Sequence, residues 1–573
     1  MKKTILLFSA LLAFGGLSAQ DKSSLVNPII GTNGMGHTFP GACVPFGLVQ
    51  LSPDTDTIPH NIDGKYQPRV YEYCAGYQHK DSSIVGFSHT HFSGTGHSDL
   101  GDILIMPTTG ALKLNPGTAT NPDGGYRSRF SHETEISRPG YYEVMLADYG
   151  VKAQLTTTKR VGVHKYTFPK EAKNQRIVLD MIHGIYNYDG KVLWTNIRVE
   201  NDTLVTGYRI TNGWARTNYT YFAMSFSKPV IHYGCEEKAK VDYRGGYGKF
   251  NMKENFPDIG GRKIVAYFDF DPAASEELEV KVALSGVSAA GALKNLQAEA
   301  SGYSFDQLAA RANETWNKEL SVIEANGSED QLAMLYTSLY HTMINPCVYT
   351  DVDGQYRGLD HNIHQADGFT NYTVFSVWDT YRALHPLFNI INRQVNTDIA
   401  DVPRPEDYPD AQIANNPRDF KTPNYGLEYM SDLFTNRQLQ MLTTFCDLLD
   451  DIEDEVYSDA LAAGMKGEAS LPDLGTGPRA YAQAVRVYLS FVIDKLLDRN
   501  SSICGWANGA KYEIIRNVFA RQAIAMNWDY AEANPFSSSS GCFDSCMEWI
   551  TRCLAEFPRG ARVGHARQFD AQS

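Results

Sequence analysis

Residues 86–102, GFSHTHFSGTGHSDLGD, hold three histidines and two aspartates in one short stretch. His89 and His91 stand two apart, so on a strand both side chains leave from one face. His97, Asp99 and Asp102 follow on a glycine-rich loop. A His-x-His pair with carboxylates nearby is a donor set for a transition metal. Gly94 and Gly96 begin a dinucleotide-binding loop but do not complete its fingerprint, and the surroundings are all-β. Two further readings stay open: a polar network at a domain interface, and one wall of a sugar site.

Two other stretches carry chemistry-bearing residues. In TDVDGQYRGLD, residues 350–360, Asp351, Asp353 and Asp360 imitate part of a calcium loop. Gln355 takes the third ligand position and no Glu arrives at the twelfth, so the stretch reads as a turn. In TNYTVFSVWDTYRALHP, residues 370–386, Trp378 stands beside Asp379. Such a pair can stack on a pyranose and hydrogen-bond its hydroxyls, although a Trp on a buried helix serves as core equally well. Asp450, Asp451, Glu453, Asp454 and Glu455 form a charge run, the mark of a solvated helix face. Cys542 and Cys546 have no second metal-binding pair near them, and nine cysteines, an odd number, do not read as a disulfide framework.

The elements that must position these groups change character along the chain. From about residue 25 to 285 short runs such as GVHKYTFP, QRIVLDMIH, TLVTGYRIT, TYFAMSFS, KIVAYFDF and LEVKVALSGV alternate apolar and polar residues between glycine-rich turns. That pattern predicts an antiparallel β-sandwich. From Gly291 apolar residues recur every three to four positions, which predicts helices over about 291–320, through EDQLAMLYTSLYHTMINP, and through the Trp378 stretch. The first residues, MKKTILLFSALLAFGGLSAQ, have the basic start, short apolar run and small-residue end of a secretory signal peptide, too short to span a membrane. No other run reaches membrane length. The chain is therefore expected to be secreted or periplasmic. A net charge of −14 opposes nucleic acid as a partner.

Composition shifts near Gln394. Residues 1–394 hold 21 Lys, 15 Arg and 14 His, whereas residues 395–573 hold 4 Lys, 12 Arg and 1 His. From Val395 the chain turns into the Pro- and Asp-rich string VNTDIADVPRPEDYPD, with no apolar period.

Four long stretches carry a family resemblance: VNPIIGTNGMGHTFPGACVPFGLVQLSPDT, GFSHTHFSGTGHSDLGDILIMP, LYHTMINPCVYTDVDGQYRGLD and HQADGFTNYTVFSVWDTYRALHPLFNIIN. Through them residues 21–394 closely resemble glycoside hydrolase family 92, exo-acting bacterial α-mannosidases. The resemblance implies a β-sandwich joined to an (α/α)6 barrel, and calcium-dependent hydrolysis of terminal mannose from glycans with inversion. It implies that Asp379 and Trp378 bind the terminal mannose and that the His89–His91 loop lies near the domain interface. It further implies an aromatic contact from Tyr71 or Tyr73. Inverting hydrolysis needs a carboxylic acid and a carboxylate base ~6.5–9.5 Å apart. The family's acid is expected on a Pro-Val-Trp-Glu-like stretch after HPLF, yet no Trp-Glu dipeptide occurs in this chain. The stretches expected to carry the base and the calcium ligands are also missing. No catalytic residue and no metal ligand is therefore assigned.

The tail stretches NPRDFKTPNYGLEYMSDLFTNRQLQMLTTFCDLL, LGTGPRAYAQAVRVYLSFVIDKLLDRNSSICGW and RNVFARQAIAMNWDYAEANPFS resemble an interior piece of a bacterial adenine-specific DNA methylase family, without its Asp-Pro-Pro-Tyr motif. The expected organisation is a signal peptide at 1–19, a sandwich at 20–290, a helical linker at 291–320, the start of an incomplete (α/α)6 barrel at 321–394, and an unrelated, mainly helical tail at 395–573. Three functions follow from it: an exported α-mannosidase-type hydrolase that is truncated or chimeric, an inactive carbohydrate-binding module, or a DNA methylase fragment. Oligomeric state is not legible.

Overall fold

The computed structural model describes residues 21–557 except 56–57, 59, 95–98, 214, 240–254, 374–382, 393–394, 396–403, 406, 409, 510–511, 522 and 529. The signal peptide, His97, Trp378 and Asp379 thus lie outside the described residues. The chain divides into two compact units, Met1–Ile399 and Ala400–Ser573.

In the first unit two antiparallel sheets share one core. One sheet orders its strands as Ala42–Cys43, Gln50–Asp54, Gly86–Ser88, Leu104–Thr108, Gln175–Asp180, Ile264–Phe270 and Val230–Glu237. The larger sheet runs Asp258–Gly261, Val192–Asn201, Leu204–Thr211, Asn218–Phe226, Glu277–Ser285, Val161–Thr167, Val151–Thr157, Tyr141–Leu146 and Ile136–Arg138. Alternation explains the larger sheet. In Tyr141–Leu146, Tyr142, Val144 and Leu146 are buried while their neighbours are less so, and Val151, Ala153 and Leu155 answer them from the next strand. These side chains meet Leu51, Ile105, Ile177 and Phe268 of the other sheet in the common core. Each buried side chain of this size contributes about 1.5–3 kcal/mol relative to exposure.

The larger sheet carries helices on its second face. Val161, Val163, Ala223 and Ala283 there pack against Ala292 and Leu296 of helix α1 (Ala289–Glu299) and Leu308 of helix α2 (Phe305–Leu320). The two alanines on the strands let the helices approach closely. A Ser304 capping box, with Gln307 reaching back, starts α2. The 291–320 segment is thus helix laid on the sandwich.

Helix α3 (Glu329–Thr342) and helix α4 (Leu384–Ile391) build a second apolar cluster with the end of α2. Trp316, Tyr336, Tyr340 and Phe388 meet Val26, Phe39, Cys43 and Phe46 from the start of the chain. The Trp316 indole donates to the Cys43 carbonyl at 2.6 Å, and the Phe388 ring stands edge-on to Phe46 at 5.5 Å.

The second unit contains helices α5 (Asn436–Ala462), α6 (Pro478–Leu497) and α7 (Phe543–Glu556) and a hairpin, Trp506–Gly509 with Tyr512–Ile515. Leu442, Leu449, Val492, Leu496 and Cys546 form its main core. All nine cysteines are free. Among the described residues no helix is long and apolar enough to cross a membrane.

Candidate functional site

His89 and His91 follow the strand Gly86–Ser88, and the ladder continues past its end: the His89 amide donates to the Asp102 carbonyl at 2.9 Å. Both imidazoles are fully buried, and they serve different networks. His89 reaches across the sandwich. Its Nδ1 donates to the Ile103 carbonyl at 2.6 Å, which leaves its Nε2 as an acceptor. His164 Nε2, 3.0 Å away, must then be the donor, and the Tyr166 hydroxyl donates to His164 Nδ1 at 2.8 Å. Every group is satisfied with both rings neutral. Burial accordingly pushes His89 down to about 4 and His164 well below its ordinary value. Gly162 makes room for this contact, since a Cβ there would stand 2.6 Å from His89 Cδ2.

His91 turns to a carboxylate. Its Nδ1 donates to the Gln50 carbonyl at 2.8 Å and its Nε2 to Asp54 at 2.9 Å. The other Asp54 oxygen accepts from His183 Nε2 at 2.8 Å. Burial alone would raise the Asp54 carboxyl, but His91 and His183 outweigh it and hold the group well below the usual carboxylate range. Gly76, with φ +77°, lies so close that a Cβ would stand 2.0 Å from Asp54 Oδ1. Asp102 forms a third buried group: it accepts from Thr90 Oγ1 at 2.8 Å and from Arg209 Nε at 2.7 Å, tying the histidine loop to the strand Leu204–Thr211.

Of the two readings left open for this loop, the hydrogen bonds describe the polar network, set between the two sheets of the sandwich. A sugar hydroxyl cannot touch rings with no exposed surface, so any effect of His89 and His91 on a ligand must pass through the backbone they hold. Tyr73 is also buried, and its hydroxyl donates to Asp81 at 2.8 Å. Tyr71, in the same 3-10 turn, is exposed and stands edge-on to His37 at 5.0 Å. Asp351 is buried, accepting from Ser285 Oγ at 2.7 Å and Asn295 Nδ2 at 2.8 Å, which agrees with a structural turn.

The structure also joins groups that sequence spacing did not connect. His79, His132 and Glu135 each bring one atom able to bind a metal within 4.8 Å of the others. His60 gathers Tyr66, Tyr186 and Tyr188 within 6.0 Å between ring centroids. Neither grouping has a sequence signal, because each depends on long-range strand pairing.

Residues 25–285 match the glycosyl hydrolase family 92 N-terminal domain, and residues 291–403 match the glycosyl hydrolase family 92 catalytic domain. A family GH92 α-mannosidase from Bacteroides thetaiotaomicron, solved with mannoimidazole, is 42% identical, with a TM-score of 0.60 over 67% of this chain and 48% of that one. A family GH92 inverting mannosidase from the same organism is 29% identical, with a TM-score of 0.54 over 66% and 47%. An uncharacterized secreted glycosidase of Arthroderma benhamiae is 25% identical over 57% of this chain and 42% of its own. The chain thus spans about half the length of these relatives. Two adjoining domain matches and two mannosidase structures agree, and from residue 25 to residue 403 this chain belongs to glycosyl hydrolase family 92.

Proposed function

We propose that the chain is an exported glycoside hydrolase of the α-mannosidase type by descent, truncated or chimeric, and that it recognises mannose-containing glycans without hydrolysing them. The observation that carries the mannose reading is the 42% identity to a mannosidase solved with mannoimidazole. The sugar-binding role falls to Trp378 and Asp379. His89, His91 and Tyr73 would act as positioning residues that fix the backbone of the neighbouring loops.

Hydrolysis is a different matter. Two carboxylates ~6.5–9.5 Å apart must flank the scissile bond, one protonated and one ionised. The chain carries no Trp-Glu dipeptide on which to place the acid. The described residues do not fit calcium either. Among the described residues, the one convergence of three His, Cys, Asp or Glu side chains is His79, His132 and Glu135. Two imidazoles and one carboxylate are a poor match for a cation that takes six to eight oxygen ligands. The catalytic-domain match runs to residue 403, past the expected boundary at 394, so it is residues 404–573 that we assign to a separate, methylase-like origin, on their own sequence stretches and the inverted Lys-to-Arg usage.

The experiment is hydrolysis of α-mannobiose by the full chain with added calcium, alongside binding of mannose-containing glycan. Binding without mannose release is expected. Release that is abolished by a chelator would refute the inactive reading, and absence of binding would refute the recognition reading.

A further inference from the structure

We propose that His79, His132 and Glu135 form a binding site for one zinc ion on the sandwich. A short ladder builds it. Strand Ser83–Ile84 pairs antiparallel with Ser128–Arg129, and the Phe130 amide extends the pairing by donating to the Ser82 carbonyl at 3.1 Å. The chain before one strand and after the other therefore run side by side, which sets His79 opposite the 3-10 turn His132–Thr134 and Glu135. Both loops are fixed. The His79 amide donates to the Thr32 carbonyl at 2.9 Å, and Ser131 caps the turn through the Glu133 amide at 3.2 Å.

The side chains are arranged as ligands. The His79 and His132 rings lie 4.0 Å apart between centroids. His132 Nδ1 stands 2.7 Å from Glu135 Oε2. Glu135 is almost wholly buried and oriented from behind: Tyr142 donates to Oε1 at 2.7 Å, and Tyr77 reaches both oxygens at 2.9 and 3.0 Å. Hydroxyls that hold a carboxylate in place are the supporting shell a metal ligand needs. Zinc at ~2.0–2.2 Å from nitrogen and oxygen sets its ligands about 3.3 Å apart. The three ligand atoms lie within 4.8 Å of one another, and the His132 side chain, 36% exposed, has room to turn. On binding, the cation takes the place of the hydrogen bond between His132 Nδ1 and Glu135 Oε2. Two imidazoles and one carboxylate suit zinc or a neighbouring transition metal rather than calcium or magnesium, and the open side at His132 leaves the fourth position to water.

The test uses the full, untagged chain, stripped with a chelator and titrated with Zn2+ against a chromophoric competitor, and separately with Co2+ by visible absorption. One equivalent should bind, with a cobalt spectrum of tetrahedral intensity. His132→Ala, at an exposed position, should weaken uptake at least about a hundredfold, and His79→Gln and Glu135→Gln at least about tenfold. His232→Ala, on a different strand, should leave it unchanged. Absence of stoichiometric uptake by the parent chain would overturn the site. So would uptake that persists in His132→Ala and His79→Gln with near-ultraviolet dichroism intact, since other cysteines and histidines would then be holding the metal.

Discussion

At the scale of single residues, two histidines two positions apart in the chain serve different hydrogen-bond networks. His89 sits in a line of donors and acceptors that closes only if its ring is neutral: Tyr166 to His164 to His89 to the Ile103 carbonyl. A second proton on His89 would point at the Nε2–H of His164. Burial pushes His89 down to about 4, and it does the same to His341 in α3. In the unfolded chain these rings titrate at ~6.5. Between those values the unfolded state holds more protons, so stability rises with pH and is lost as pH falls from about 6.5 towards 4. His89 alone should cost on the order of 2 kcal/mol by pH 5. Asp54, held below its usual range, contributes stability above the ordinary carboxylate pKa and gives it up only in stronger acid. Urea unfolding of the full chain at pH 7, 6 and 5 should therefore show a steady fall in stability, and a flat profile would show that the His89 ring is not held neutral.

At the scale of elements, much was legible. The alternating runs LEVKVALSGV and TLVTGYRIT became the strands Glu277–Ser285 and Leu204–Thr211, because a half-buried strand must alternate its faces. The long helical period after Gly291 resolved into two helices at the Ser304 cap. Pairing was not legible. Val161–Thr167 lies against Glu277–Ser285, more than a hundred residues later, and nothing local in either strand names its partner. The same gap explains the site residues. His89 and His91 were visible as a pair, but not the carbonyl, carboxylate and second histidine that consume them, and the His79–His132–Glu135 grouping needed a ladder that two short strands do not announce. Among elements, α2 is fixed to the sandwich most firmly at Trp316, which is fully buried and bonded to the Cys43 carbonyl. Trp316→Ala should lower stability by about 3–5 kcal/mol. Trp316→Phe should lower it less, leaving the carbonyl without its donor. A shift below about 1 kcal/mol for the alanine variant would mean the helix is anchored elsewhere.

At the scale of the whole molecule, the boundary between the compact units falls at Ile399–Ala400, inside the stretch where composition changes. The described residues from Arg404 to Asp419 contain no helix and no named strand, and prolines at 403, 405, 409 and 417 disfavour both. Limited trypsin digestion should cut at Arg393 or Arg418 and leave two fragments that migrate separately under denaturing conditions. Resistance at both bonds in a monomeric chain would show that the stretch between the two units is not accessible. Within the first unit the opposite holds, because its beginning is tied to its end. The Lys22 amide donates to Asn317 at 2.7 Å and the Asn27 amide to Thr337 at 2.9 Å, across 295 and 310 residues of chain. That feature has a meaning in time. At about 5–20 residues per second of synthesis, Thr337 emerges roughly 15 to 60 s after Asn27. For that interval the first folded-state partners of the chain do not yet exist, so the N-terminal turn must stay unpaired while the sandwich strands are made, and it can be locked only when α2 and α3 arrive.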